Sequence, residues 1–230
     1  MVNEIGIPAT LGYVINNDIT EAYKNYFKVE TMNSLDELSE YCDASNRNLY
    51  IMGDINADTG VAVENMIRFY NQADKQLSIE KEDRIPIKIW INSYGGDLQA
   101  ALTTCDAISL SETPIYTINQ GQAASAAALI FLAGHKRIAF PKSYLMIHEG
   151  SIGVSQIDAH KFQAMSDFYK VQRTLLKKII MEYTGMSEED YTSHAKDDWW
   201  MDVNDAMKYN MIDMVMDKDF YQSLLWQLFH

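Results

Sequence analysis

The sequence predicts an α/β fold. From Asn48 onward, short β-rich runs alternate with helically periodic ones, the pattern of βαβ crossovers that build a largely parallel sheet. Thr59 to Ile91 and Gly96 to Ile118 each read as a helix returning to a strand. One amphipathic segment, from about Gln156 to Tyr183, is longer than a domain of this size can cover.

Residues 1–45 are polar and weakly patterned, with an amphipathic stretch from Ser34 to Tyr41 that Ser34 is placed to cap, and are expected to form an N-terminal extension. The main domain is expected over 46–216. Its candidate strands are Leu49–Met52, Ile87–Ile91, Ile115–Ile118, Arg137–Phe140, Tyr144–Ile147 and Met211–Met216. Pro86 lies just outside the second, where its missing N–H costs the ladder nothing. Val61, Val63, Met66, Ile67 and Tyr70 share one face of a helix from about Thr59 to Asp74, and Leu98, Ala101, Leu102, Cys105 and Ile108 share a face of another. In the long segment the apolar positions run from Phe162, Met165, Phe168 and Tyr169 to Leu175, Leu176, Ile179, Ile180 and Tyr183. Part of this helix is expected to project and meet another subunit. Asn204 reads as a helix cap and Asn210 as a left-handed stop. Residues 217–230 form an aromatic, apolar tail suited to docking.

Composition narrows the function. Nineteen basic against thirty-two acidic residues give a net charge of −13, which repels phosphate backbones and argues against a nucleic-acid partner, so none is expected. No apolar run reaches membrane-span length, and Asn3, Glu4, Asp18, Glu21 and Lys24 stand where a signal peptide would be apolar, so a cytoplasmic protein is expected, with no membrane partner. Cys42 and Cys105 are isolated and lack metal-ligand spacing, so both read as buried or half-buried thiols, with no metal expected. No phosphate-binding G-x-x-x-x-G-K-[ST] loop occurs. No cofactor is expected, and any ATP would be hydrolysed by a partner chain.

Acyl transfer needs a nucleophile, a base within reach, a group orienting the base, and donors for the oxyanion. Gly121-Gln122-Ala123-Ala124-Ser125-Ala126 follows a strand and opens a helix of small residues, placing Ser125 in the first turn with the Ala126 N–H as an oxyanion donor. In Ile91-Asn92-Ser93-Tyr94-Gly95-Gly96 a strand ends on two glycines that permit unusual dihedrals and close approach of a substrate backbone, making the Gly96 N–H a second donor. His148 ends the apolar strand Tyr144–Ile147, where α/β folds place their ligands, whereas His135, His160, His194 and His230 lie in turns, polar stretches or the terminus. Lys196-Asp197-Asp198-Trp199-Trp200 offers two carboxylates beside indoles that would shield an acid from water, and the residues alone leave Asp197 and Asp198 equivalent.

Taken together, Ile-Asn-Ser-x-Gly-Gly at 91–96, Gly-Gln-Ala-Ala-Ser at 121–125, Met-Ile-His at 146–148 and the acid before an aromatic at 198 resemble the proteolytic subunits of the Clp protease family, in that family's order and close to its spacing. The resemblance implies Ser125 as nucleophile, His148 as base, Asp198 rather than Asp197 as the orienting acid, and Gly96 and Ala126 as oxyanion donors. It implies an α/β superhelix of the crotonase type with a long projecting handle helix. It also implies a homo-oligomer of seven-membered rings stacked in pairs, and a separate AAA+ unfoldase of the ClpX, ClpA or ClpC kind that feeds unfolded chains to an endopeptidase chamber. The sequence departs from the family at Tyr94, where proline is usual, at Glu149-Gly150 in place of Gln-Pro, in the strand-like stretch Ser151–Gln156, which lacks the glycine-rich pattern, in an insertion around Ser78–Arg84, and in residues 1–45, which do not resemble the axial loops. Three rivals differ in class or context. A catalytically silent ring subunit would have lost one of the three candidate residues. A phage-type prohead maturation protease would work without an unfoldase. A coenzyme A-binding hydratase would not need Ser125.

Overall fold

The computed structural model describes residues 43–150 and 158–226. Five strands form the continuous part of a seven-stranded sheet: β1 (Asn48–Ile55), β2 (Ile87–Gly96), β3 (Ile115–Ala124), β4 (Lys136–Ala139) and β7 (Met214–Val215), each parallel to the next. The long β3 carries two partners. Its first half pairs with β4, and Gln122–Ala124 pair in parallel with β5 (Tyr144–Ile147), which in turn pairs antiparallel with β6 (Trp199–Asp202). The sheet therefore forks at the end of β3, where Ser125 begins.

Helix α1 (Ala57–Gln76) links β1 to β2, and α2 (Leu98–Ser109) links β2 to β3. Their starts are set by short polar side chains, since Asn56 accepts from the Thr59 N–H at 2.9 Å and Asp97 from the Ala100 N–H at 2.7 Å. The short α3 (Ala126–Leu132) is buried along its whole length. Ile87, Ile89 and Ile91 of β2 pack with Val63, Ile67, Cys105, Ile108 and the alanines of α3 in the main core. Trp90, Ile118 and Ile138 face the other way, into a second cluster that Leu224 of α7 (Lys218–Trp226) completes, with Phe220 packed against it. The described part of the apolar tail thus docks on this chain's own sheet. A central strand buried on both faces reads as a near-continuous apolar run, and Ile87–Ile91 does so apart from the buried Lys88, whose ammonium donates to the Asn46 carbonyl at 2.8 Å.

The long helix α4 spans Ala159–Thr184, with Asp158 accepting from the N–H groups of His160 and Lys161 and Gly185 terminating it at φ 71°. Its second half enters the core through Leu176 and Ile180, while Phe162, Met165, Phe168, Val171 and Leu175 stay exposed. After α5 (Glu188–His194) and β6 comes α6 (Val203–Lys208).

Several boundaries differ from the sequence reading. β2 continues to Gly96 because Gly95 and Gly96 stay paired with Asp54 and Ile55 of β1, and β3 continues past a register irregularity to Ala124 because Gln122–Ala124 pair with β5. Asp202, and not Asn204, caps α6, accepting from the Asp205 N–H at 2.9 Å. The strand expected over Met211–Met216 shrinks to Met214–Val215, since Met211 and Ile212 are buried as core residues ahead of it. Asn210 adopts the expected left-handed conformation, φ 53°. The stretches Ser34–Tyr41 and Ser151–Gln156, Cys42 and His230 lie outside the described residues. Among the described residues no helix is long and apolar enough to cross a membrane.

Candidate active site

Strand register assembles the site. β3 and β5 run parallel with Ala124 opposite Met146, so the residues leaving their carboxyl ends emerge side by side. Ser125 donates its backbone N–H to the Met146 carbonyl at 2.9 Å, and His148 follows two residues later. β6 runs back along β5 with Trp199 opposite Ile147, which carries Asp198 alongside His148. The side chains meet in the same order. Ser125 Oγ lies 2.7 Å from His148 Nε2, and His148 Nδ1 lies 3.1 Å from Asp198 Oδ1. Asp197 is exposed and forms no comparable contact with the ring.

Two local expectations need correction. Ser125 is not in the first helical turn but at the N-cap of α3, with φ 55° and ψ −122°. That is a conformation residues other than glycine seldom adopt, and it turns the hydroxyl out of the strand toward the histidine. Asp198 is not shielded by indoles either. Its side chain is 61% exposed against 19% for His148, because Trp199 instead stacks on His194 at 4.2 Å and packs edge-on against Tyr209.

The double glycine at the end of β2 works differently from the sequence expectation as well. Gly95 (φ 108°) and Gly96 (φ 148°) both occupy glycine-favouring backbone. A Cβ on Gly95 would lie 2.7 Å from the Ala124 carbonyl oxygen and 2.8 Å from Ser125 Cβ, and one on Gly96 would lie 2.2 Å from the Ile55 carbonyl oxygen. The close approach is therefore of Gly95 to the serine turn and of Gly96 to β1, and Gly96 lines the same cavity as Ser125.

These residues open onto a cavity of about 310 Å³, lined by Gly96, Ser125, Ala126 and His148 on one side and by Tyr169, Leu176 and Ile180 of α4 on the other. The α4 wall was missed from sequence, although the helical spacing of Tyr169, Leu176 and Ile180 is the signal of one face turned inward. Glu149, directly after the histidine, forms an ion pair with Arg173 of α4, and this pair was also missed. A hydroxyl in contact with an imidazole that also contacts a carboxylate, beside the Gly95-Gly96 end of β2, the start of α3 and a cleft walled by α4, can carry out nucleophilic acyl transfer.

The other candidate groups have structural roles. His135 Nδ1 accepts from the Ile115 N–H at 3.0 Å, and burial holds its pKa below the ordinary histidine value. Cys105 is buried as expected, and burial pushes its thiol up to about 12, which leaves it unreactive at neutral pH.

Comparison with known proteins agrees with this chemistry. The Clp protease family model matches residues 44–219. The chain is 28% identical over 173 residues to the ATP-dependent Clp protease proteolytic subunit 2 of Treponema denticola, covering 74% of this chain and 82% of that one. It is 31% identical over 134 residues to the ATP-dependent Clp protease proteolytic subunit of Deinococcus radiodurans, covering 57% and 65%. Among solved structures, a ClpP1 point mutant from Listeria monocytogenes superposes with a TM-score of 0.66 at 26% identity, covering 80% of this chain and 98% of that one. The chain belongs to the Clp protease family and is a proteolytic subunit with serine-type endopeptidase activity.

Proposed function

We propose that Ser125 is the nucleophile of this peptidase, His148 its general base and Asp198 the group that orients the base. The observation that carries the reading is the 2.7 Å contact between Ser125 Oγ and His148 Nε2, joined from two strands by their register. Ser125 Oγ attacks the scissile carbonyl carbon while its proton passes to Nε2. Asp198 accepts from the Nδ1–H and stabilises the imidazolium that forms. The N–H groups of Gly96 and Ala126 receive the oxyanion. Ala126 is the first residue of α3, so its N–H has no intrahelical acceptor. Collapse of the tetrahedral intermediate returns the proton to the leaving amine, and water then hydrolyses the acyl-enzyme by the same route.

The substrates are unfolded polypeptides, cleaved within a chamber of stacked rings in the cytoplasm. The exposed Phe162, Phe168 and Val171 on α4 support such an assembly, because a solvated helix rarely leaves so many large apolar side chains without a partner. An AAA+ unfoldase supplies the chains and hydrolyses the ATP. Ser125→Ala tests the reading. Turnover of an unfolded protein substrate is expected to fall by about 10⁴- to 10⁶-fold with native mass unchanged, and wild-type turnover in this variant would refute the assignment.

A further inference from the structure

The Ser125–His148 pair depends on how the chain is held after the histidine, and the sheet does not do this. The β5–β6 ladder ends at Ile147, and the Asp198 carboxylate reaches the ring at 3.1 Å from an exposed position. Glu149 supplies the anchorage. Its N–H donates to the Ala195 carbonyl at the end of α5 at 3.0 Å. The Tyr169 hydroxyl donates to the Gly150 carbonyl at 2.6 Å and more weakly to that of Glu149 at 3.4 Å. The Glu149 carboxylate pairs with Arg173, one helical turn beyond Tyr169 on the same face of α4.

Glu149 also lines the cavity that receives the scissile bond. An unpaired carboxylate there would oppose the negative charge that develops on the substrate carbonyl oxygen, and the guanidinium of Arg173 neutralises it. We propose that the Glu149–Arg173 pair, braced by Tyr169, positions His148 against Ser125 and so sets the rate of acylation. Both are positioning residues, and the proposal rests on the reading of Ser125 and His148 as nucleophile and base. It also gives the Glu149-Gly150 sequence after the base a function.

The test uses the full chain and a fluorogenic peptide, comparing wild type, Arg173→Met, Glu149→Ala, the reversed pair Glu149→Arg with Arg173→Glu, and Ser125→Ala, with native mass recorded for each. Each single charge removal is expected to lower kcat by about 10- to 100-fold with KM within about twofold, the scale of a catalytic group displaced by roughly an ångström. The reversed pair is expected to recover about tenfold of that loss. The proposal is overturned if both singles keep kcat within about twofold of wild type, if the loss follows a change in native mass, or if the reversed pair is no better than the singles. An inactive Ser125→Ala beside an unaffected Arg173→Met removes this proposal alone, whereas an active Ser125→Ala removes the nucleophile assignment and this proposal with it.

Discussion

At the scale of single residues, the account turns on side chains whose neighbours in sequence are nearly interchangeable. Asp197 and Asp198 are both acidic and both exposed, yet only Asp198 follows from β6 register to the imidazole. Asp198→Asn is expected to lower kcat/KM by about 10²- to 10⁴-fold, less than loss of the serine because the carboxylate is solvated and its bond to the ring is long, while Asp197→Asn stays near wild type. Steady-state kinetics on the two variants check this, and an exchange of the two results would move the acid to Asp197. Gly95→Ala places a methyl group against the Ala124 carbonyl and Ser125 Cβ. It is expected to reduce turnover at least about 100-fold and to lower the thermal midpoint, both measurable on one preparation. Ser125 and His148 were legible because each ends an apolar strand in a recognisable run. Asp198 was not legible from its own neighbourhood, since of the two indoles that suggested shielding Trp199 packs on His194 and Tyr209 and Trp200 is exposed.

At the scale of elements, helices were read more accurately than strand ends. Amphipathic spacing fixed α1, α2 and α4 to within a few residues, and the caps Asn56, Asp97 and Asp158 explain their starts. β6 escaped notice because a four-residue strand preceded by Lys196, Asp197 and Asp198 has neither length nor clean alternation. The carboxyl ends of β2 and β3 were cut short because Gly95 and Gly96 stay in the ladder with β1 and because β3 gains a second partner, β5, that its own residues do not announce. The face that α4 turns toward the active site was hidden, because a residue lining a cleft and one filling a core have the same hydropathy. Its exposed flank gives a separate prediction. Phe168 is 60% exposed in the single chain, so Phe168→Glu should leave the fold of the subunit intact by circular dichroism while shifting native mass toward smaller species. An unchanged assembly would dissociate α4 from ring stacking.

At the scale of the whole molecule, one buried ion pair ties the start of β1 to α1 and the loop before β3. Arg47 donates to both oxygens of the fully buried Asp74, at 2.7 and 2.5 Å, and Thr113 Oγ1 donates at 2.7 Å. Burial pushes the Asp74 pKa up, but the hydrogen bonds from Arg47 and Thr113 and the nearby charges of Arg47 and Arg84 outweigh it and hold it below the ordinary carboxylate value. A depressed folded-state pKa means that the stabilisation is present above the unfolded value of about 4 and is lost as pH falls through the lower folded value. Denaturant midpoints should therefore decline below about pH 4, and Asp74→Ala, which strands a buried guanidinium, is expected to cost about 3 to 5 kcal/mol at neutral pH and to flatten that decline. The central claim concerns one hydroxyl made reactive by one imidazole. Its most direct test is peptide mass mapping after exposure to a fluorophosphonate probe, in wild type and in His148→Ala. A single adduct on Ser125 that disappears without His148 is the predicted result, and labelling elsewhere, or labelling of Ser125 that does not depend on His148, would contradict it.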